Sequence, residues 1–246
     1  MLQGLFAAAS GMEAEQTQFN AIANDMANLN TPGYQSEQVG FQDLLYATGG
    51  EATGTSVDTG SGAAASVVGR SQTEGALQQT GRPLDLAIEG AGYLQVRRSD
   101  GSIGLTRNGS LQVDAQGEIT DQQGNPLAPP IKLPAGVSAA DVHVAADGRV
   151  RGPGGPLGQI QIVTVPAPSQ LQPDGDSLFS ATTASGGTRA ATGSTLRQGA
   201  LESSNVDIGE AMSQMIDSER SYDMASQAVQ YQDQMLQIAN QLKSGS

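Results

Sequence analysis

Apolar residues recur at helical spacing at both ends of the chain, and at strand spacing in the middle. Near the N-terminus Leu2, Leu5, Ala9, Met12, Gln16, Phe19, Ala23 and Met26 follow one another at alternating steps of three and four, with Phe6 and Ile22 widening the stripe. This is a heptad seam on one helix face. Asn28-Leu29-Asn30-Thr31-Pro32-Gly33 stops it, because the residue before a proline is disfavoured in helix and glycine suits a turn. The C-terminal segment repeats the theme. Asp207-Ile208-Gly209-Glu210 has the form of a capping box, with Asp207 as N-cap. Ile208, Ala211, Met215, Tyr222, Ala225, Val229, Leu236 and Ala239 then form a stripe, with Met212 and Ile216 beside it. Such a long helix has more apolar surface than it can bury alone, and the N-terminal helix is the obvious partner.

Between the ends the period changes from 3.6 to 2. Leu84-Asp85-Leu86-Ala87-Ile88, Tyr93-Leu94-Gln95-Val96, Ser110-Leu111-Gln112-Val113 and Gln159-Ile160-Gln161-Ile162-Val163 alternate as short strands. Asp100-Gly101, Asn108-Gly109, Gln116-Gly117 and Asp147-Gly148 read as the hairpin turns between them. Residues 48–66 and 181–194 are Gly/Ser/Thr/Ala-rich connectors. The pattern predicts an α+β chain. Long terminal helices pair as a coiled coil around residues 1–33 and 201–246, an extended low-complexity arm covers 34–82, and an antiparallel β-rich domain of sandwich or barrel type covers 83–200.

Charge follows the same division. Residues 1–69 hold seven acids and no base, residues 70–200 eleven acids and ten bases, and residues 201–246 seven acids and two bases. Two acidic ends cannot neutralise one another, so their carboxylates are expected off the seam, where solvent and salt screen them. The first cation is Arg70, which argues against a basic arm for nucleic acid or anionic lipid, against a cleaved signal peptide and, with no long apolar run, against membrane insertion.

Composition narrows the chemistry. With 246 residues, no cysteine and a single histidine, His143, the chain has no thiol nucleophile, disulfide framework or Cys/His zinc site. Neither lysine follows a glycine, so there is no P-loop, and Gly90-Ala91-Gly92 fails as a dinucleotide loop because Gln95 stands where the last glycine belongs. The Asp-Gly pairs lack calcium-loop spacing. No catalytic residue, cofactor site or metal site is expected, and an enzyme is disfavoured. With 43 Gly and Pro residues and aromatics at 4%, the core must rest on aliphatic side chains and alanine.

Three ordered runs carry a family resemblance. Gly11-Met12-Glu13-Ala14 followed by Ile22 to Tyr34 resembles the start of bacterial flagellar rod and hook proteins, with Asn28, Thr31, Pro32, Gly33 and Tyr34 as its core. Pro83 to Tyr93, then Thr106-Arg107-Asn108-Gly109, is similar to the family's β-domain signature. Gly199 to Asp207, with Asn205, Val206 and Asp207, then Asp233-Gln234-Met235-Leu236, matches its C-terminal run. Phe41-Gln42-Asp43-Leu44-Leu45-Tyr46 and the C-terminal run look most like the distal-rod branch, with the proximal-rod protein of the same layout as the alternative. A secreted β-rich adhesin is a more distant alternative, which would not account for two matched heptad ends.

The resemblance implies a structural subunit of a hollow helical drive shaft, exported by the flagellar type III system without a cleaved signal peptide into the periplasmic basal body. Its partners would be copies of itself, other rod proteins, the hook protein and the rings around the rod. The inter-subunit seam would then use Leu2, Leu5, Phe6, Met12, Phe19, Ile22 and Met26 against Ile208, Met212, Met215, Tyr222, Val229 and Leu236.

Overall fold

The computed structural model describes residues 2–44, 47–49, 57–59 and 62–244. The side chain of Leu2 and much of the 48–66 connector lie outside the described residues. The chain forms two compact units that interleave along the sequence. One takes residues 1–26, 37–68 and 207–246, and the other residues 27–36 and 69–206.

In the first unit, α1 spans Leu2–Ala27 and α2 spans Ile208–Ser244. Asp207 caps α2 as its sequence predicts, its Oδ1 accepting from the Glu210 N–H at 3.0 Å. The helices touch at two heights in an antiparallel sense: Ser218 Oγ donates to Glu15 O and Oε2 at 3.0 and 2.9 Å, and Gly4 lies beneath the Gln232 side chain. A methyl group at Gly4 would run into that glutamine. The deepest apolar positions are small ones, Ala14, Ala21 and Ala211, together with Ile22. Asp25 departs from the expectation that the terminal acids stay in solvent. It is buried, and its Oδ1 accepts from the Glu37 N–H at 3.0 Å.

The same unit carries, up to Val68, a two-stranded ribbon of Glu37–Asp43 with Ala63–Arg70, and an antiparallel backbone pair, Ala47–Gly49 with Val57–Thr59. Phe41, Leu44, Val67 and Val68 are exposed on it. An isolated two-stranded ribbon is marginal in water, so these side chains want cover.

The second unit is antiparallel β-structure. Its largest sheet has six strands in the order Gln172–Pro173, Phe179–Ser180, Ile103–Thr106, Tyr93–Arg97, Ile162–Thr164, Arg189–Ala190. A three-stranded sheet joins His143–Val144, Arg149–Gly152 and Gly155–Gln159. The main core is wholly aliphatic: Leu86, Ile88, Leu94, Val96, Leu111, Ile119, Leu127, Ile131, Val142, Val150 and their neighbours. A smaller cluster holds the aromatics, with Tyr93 edge-on to Phe179 at 5.9 Å between centroids.

Two local expectations change. The single strand expected at 159–163 is two, Gly155–Gln159 and Ile162–Thr164, broken where buried Ile160 donates its N–H to Gly148 O at 2.8 Å. Asn108-Gly109 is no hairpin turn. Gly109 O instead accepts from the Leu86 N–H at 3.0 Å, and the two backbones pass so closely that no side chain fits at Gly109. The other three turns sit between paired strands, with Gly101, Gly117 and Gly148 all at positive φ. Their aspartates accept from nearby N–H groups: Asp100 from Ser102, Asp114 from Gln116 and Glu118, Asp147 from Arg149.

Candidate functional site

The β-unit is closed by its own last strands, and the turn after α1 docks where they close. Leu86–Glu89 pairs with Thr195–Gln198, and Leu77–Gln79 with Ala200–Glu202. Strand alternation puts Ala200 and Glu202 on the same, inward face, and both are buried. Glu202 meets Arg107 there. Arg107 Nε donates to Glu202 Oε2 at 2.7 Å, and both side chains are only 3% exposed. The remaining valences are filled by backbone: Arg107 Nη1 and Nη2 donate to Gly92 O and Gly90 O, and Glu202 Oε1 accepts from the Gly75 N–H at 3.0 Å. A buried ion pair satisfied in this way holds its geometry, because removing either partner strands a charge.

The predicted motif residues assemble on this pair. Thr31 N–H donates to Asn28 O, and Tyr34 N–H to Thr31 O, making the tight turn after α1. Gly33, at φ +68°, donates its N–H to Glu202 O at 2.8 Å. A Cβ on Gly33 would lie 2.5 Å from the Arg107 carbonyl carbon, so the position requires glycine twice over. Asn205 crosses to the same segment. Its N–H donates to Tyr34 O, its Oδ1 accepts from Ser36 N–H at 2.8 Å, and its Nδ2 donates to Thr73 O at 2.9 Å. Val206 is half-buried beside it, and Asp207 begins α2.

Residues without an assigned role in the sequence complete the joint. Arg70 donates to Gln35 O at 2.8 Å and places its guanidinium 5.3 Å from the Tyr34 ring centroid and 5.5 Å from that of Phe179. Tyr93 Oη lies 3.3 Å from Gln35 Oε1 and 3.2 Å from Gln72 Oε1. Burial pushes the Tyr93 hydroxyl above its ordinary pKa, so it stays a proton donor. Arg107 and Glu202 were visible only as members of the motif runs, although the alternation Ala200-Leu201-Glu202 already marks a glutamate facing inward.

The thirteen expected seam residues are treated unevenly within a single chain. Ile22 is buried, while Leu5, Met12, Phe19, Met26, Met215, Val229 and Leu236 are half-buried. Phe6 is 69% exposed, and Ile208, Met212 and Tyr222 are exposed as well. Ser218 and Gln232 fill the buried stripe of α2 at steps where the apolar pattern has gaps. A second apolar stripe that the sequence reading passed over, Met224, Tyr231, Met235, Ile238 and Leu242, is exposed at steps of seven, four, three and four. The apolar side chains of α2 thus ring the helix, as in a helix meant to be surrounded. Among the described residues no helix is long and apolar enough to cross a membrane.

Three family models match this chain in order: a flagella basal body rod protein model at residues 5–35, the flagellar hook protein FlgE/F/G D1 domain at 87–152, and the flagellar basal body rod FlgEFG protein C-terminal model at 197–242. Whole proteins agree. A flagellar basal-body rod protein FlgG from Caulobacter vibrioides is 36% identical over 99% of this chain and 100% of its own length. One from Borreliella burgdorferi is 35% identical over 99% of both chains. The rod protein FlgF of Escherichia coli is 36% identical over 91% of both. These relatives establish that this chain belongs to the flagellar basal-body rod protein family and is FlgG-like.

Proposed function

We propose that the chain is a structural subunit of the distal rod, which polymerises through its helical ends into a hollow shaft carrying torque from motor to hook around an export channel. One observation carries this. Of the sixteen large apolar side chains exposed among the described residues, all but Leu77 and Ile103 belong to the helix-and-ribbon unit. Soluble monomers rarely leave so many large apolar side chains of one unit in water. A repeating head-to-tail contact covers them without any catalytic group.

In this reading α1 and α2 extend their antiparallel contact into a coiled-coil pair, and Leu5, Phe6, Met12, Phe19, Ile208, Met212, Met215 and Tyr222 complete the seam with neighbouring copies. The ribbon's Phe41, Val67 and Val68 join that interface. Copies of the chain, other rod proteins, the hook protein and the surrounding rings are the partners, reached in the periplasm after type III export. The two FlgG-named relatives above cover 99% of this chain and the FlgF relative 91%, which supports the distal over the proximal position. Family membership displaces the adhesin alternative.

The test is complementation of a cell lacking its own copy. The wild-type chain should restore a rod visible in isolated basal bodies. Met215→Asp should not, although its β-unit melts normally. A normal rod with Met215→Asp would contradict the reading.

A further inference from the structure

Between α1 and α2 lies a cavity of about 140 Å³ lined by Glu15, Gln16, Phe19, Ser218, Glu219 and Tyr222. It combines two carboxylates with two aromatic rings. Glu15 Oε2 accepts from Ser218 Oγ, and among the described residues no donor reaches Glu15 Oε1 or Glu219. Carboxylates beside aromatic rings suit a planar guanidinium, which can pair with the first and pack on the second.

A candidate occupant is present on the same helix. Arg220 is exposed and has no ion pair among the described residues. It sits four residues after exposed Ile216 and four before exposed Met224, about 40° round the helix from each. When that stripe is covered, Arg220 goes under cover with it, and a buried guanidinium needs an anion. Arg220 is not among the residues that line its own cavity. Ser218 and Tyr222 are each two residues away, which places Arg220 about 160° round the helix from both. Glu219 is about 100° from Arg220, so Arg220 points away from the middle of the cavity lining on its own helix. That arrangement cannot close on itself, and it suits a contact repeated from copy to copy.

We propose that the Glu15–Glu219 cavity receives the Arg220 guanidinium of a second copy of this chain, which fixes how neighbouring helix pairs are set against one another. The assignment rests on the polymer reading above and adds a specific register to it.

Charge exchange tests it in cells lacking their own copy, read as chain recovered in sedimented basal bodies and as swimming. Arg220→Glu should lower recovery at least tenfold, since it sets a carboxylate against two others, and Glu219→Arg should lower it as well, since the new arginine pairs with Glu15 of its own chain and repels Arg220 of the next. Both positions are exposed, so the purified chains should keep wild-type melting. The double variant Glu219→Arg/Arg220→Glu restores the 219–220 charge pair between copies, although Glu15 is unchanged, and should recover several-fold more chain than either single. Normal assembly of either single variant would overturn the proposal, as would a double variant no better than the singles. Arg220→Glu assembling normally while Glu219→Arg fails would give the cavity to another cation, such as exposed Arg97, Arg151 or Arg189, and would equally overturn it. In each of those cases Met215→Asp still blocks assembly if the polymer reading holds; normal assembly of Met215→Asp would bring down that reading itself.

Discussion

The two units handle apolar surface in opposite ways. The β-unit draws Leu, Ile and Val inward at nearly every alternating position, and its aliphatic cluster includes side chains with no exposure at all, such as Leu94, Val96 and Val150. The helical unit buries three alanines and Ile22 and leaves Phe6, Met212, Met224, Tyr231, Met235, Ile238 and Leu242 in solvent. Methionine marks the contrast, because all seven lie in the terminal segments and none in the β-core. A flexible thioether suits a surface that must adapt to several neighbours, whereas branched aliphatics suit a core packed one way. One unit completes its fold within the chain, and on the proposed function the other is completed by assembly.

Substitutions in either unit sharpen this contrast. The largest effect is expected at the helical seam. Met215→Asp or Leu5→Asp puts a carboxylate where assembly demands an apolar contact, at a cost of several kcal/mol (on the order of 3 or more) per subunit unless it protonates. Rod formation should be lost while the β-unit's melting temperature stays within a degree or so. A parallel loss in β-unit melting would mean that the units are not energetically separate.

In the β-unit, Glu202→Gln or Arg107→Met leaves one buried charge stranded, at about 3–5 kcal/mol. Calorimetry should show the β-unit melting on the order of 10 °C lower. The double replacement Arg107→Met/Glu202→Leu should recover much of this, because no unpaired charge remains. Single variants that melt like wild type would remove the ion pair from the account of the joint.

A glycine pair isolates the effect of close approach. Gly33→Ala adds left-handed strain and a contact against the Arg107 backbone, together about 2–3 kcal/mol. Gly124→Ala, at φ +87° with open space around it, should cost only about 1 kcal/mol. Equal costs in denaturant titration would show that the turn does not press on the Arg107–Asn108 backbone.

The smallest effect is electrostatic. The Ser180 hydroxyl, then Arg98, holds the Asp174 carboxyl below its ordinary pKa. A depressed folded-state pKa contributes stability that is present above the unfolded value and disappears as pH falls through the folded one. Asp174→Asn should therefore cost under about 1 kcal/mol at neutral pH and nothing once the wild-type carboxyl is protonated. A cost that persists in acid would point to shape rather than charge.

Much of this was readable from periodicity. The Asn28–Gly33 stop, the Asp207 cap and most strands follow from local chemistry, and the structure places them accordingly. Three features were not readable, each for a physical reason. Alanine and serine contacts such as Ala14, Ala21 and Ser218 carry no apolar signal, so the buried face of each helix is offset from its most hydrophobic stripe. The Asn108-Gly109 pair looks like a hairpin turn, but its role depends on a strand more than twenty residues earlier. The Arg107–Glu202 contact spans 95 positions, and nothing local links the two.

Amide hydrogen exchange, followed residue by residue in the free chain and in assembled rod, tests the division of labour most directly. In the free chain, α2 amides should exchange orders of magnitude faster than those of Leu94, Val96 and Leu105, because few buried contacts hold the helix. On assembly α2 should become protected to the level of the β-core, while the β-core itself changes little. Full protection of α2 in the free chain, or continued fast exchange of α2 in the assembled rod, would contradict the account.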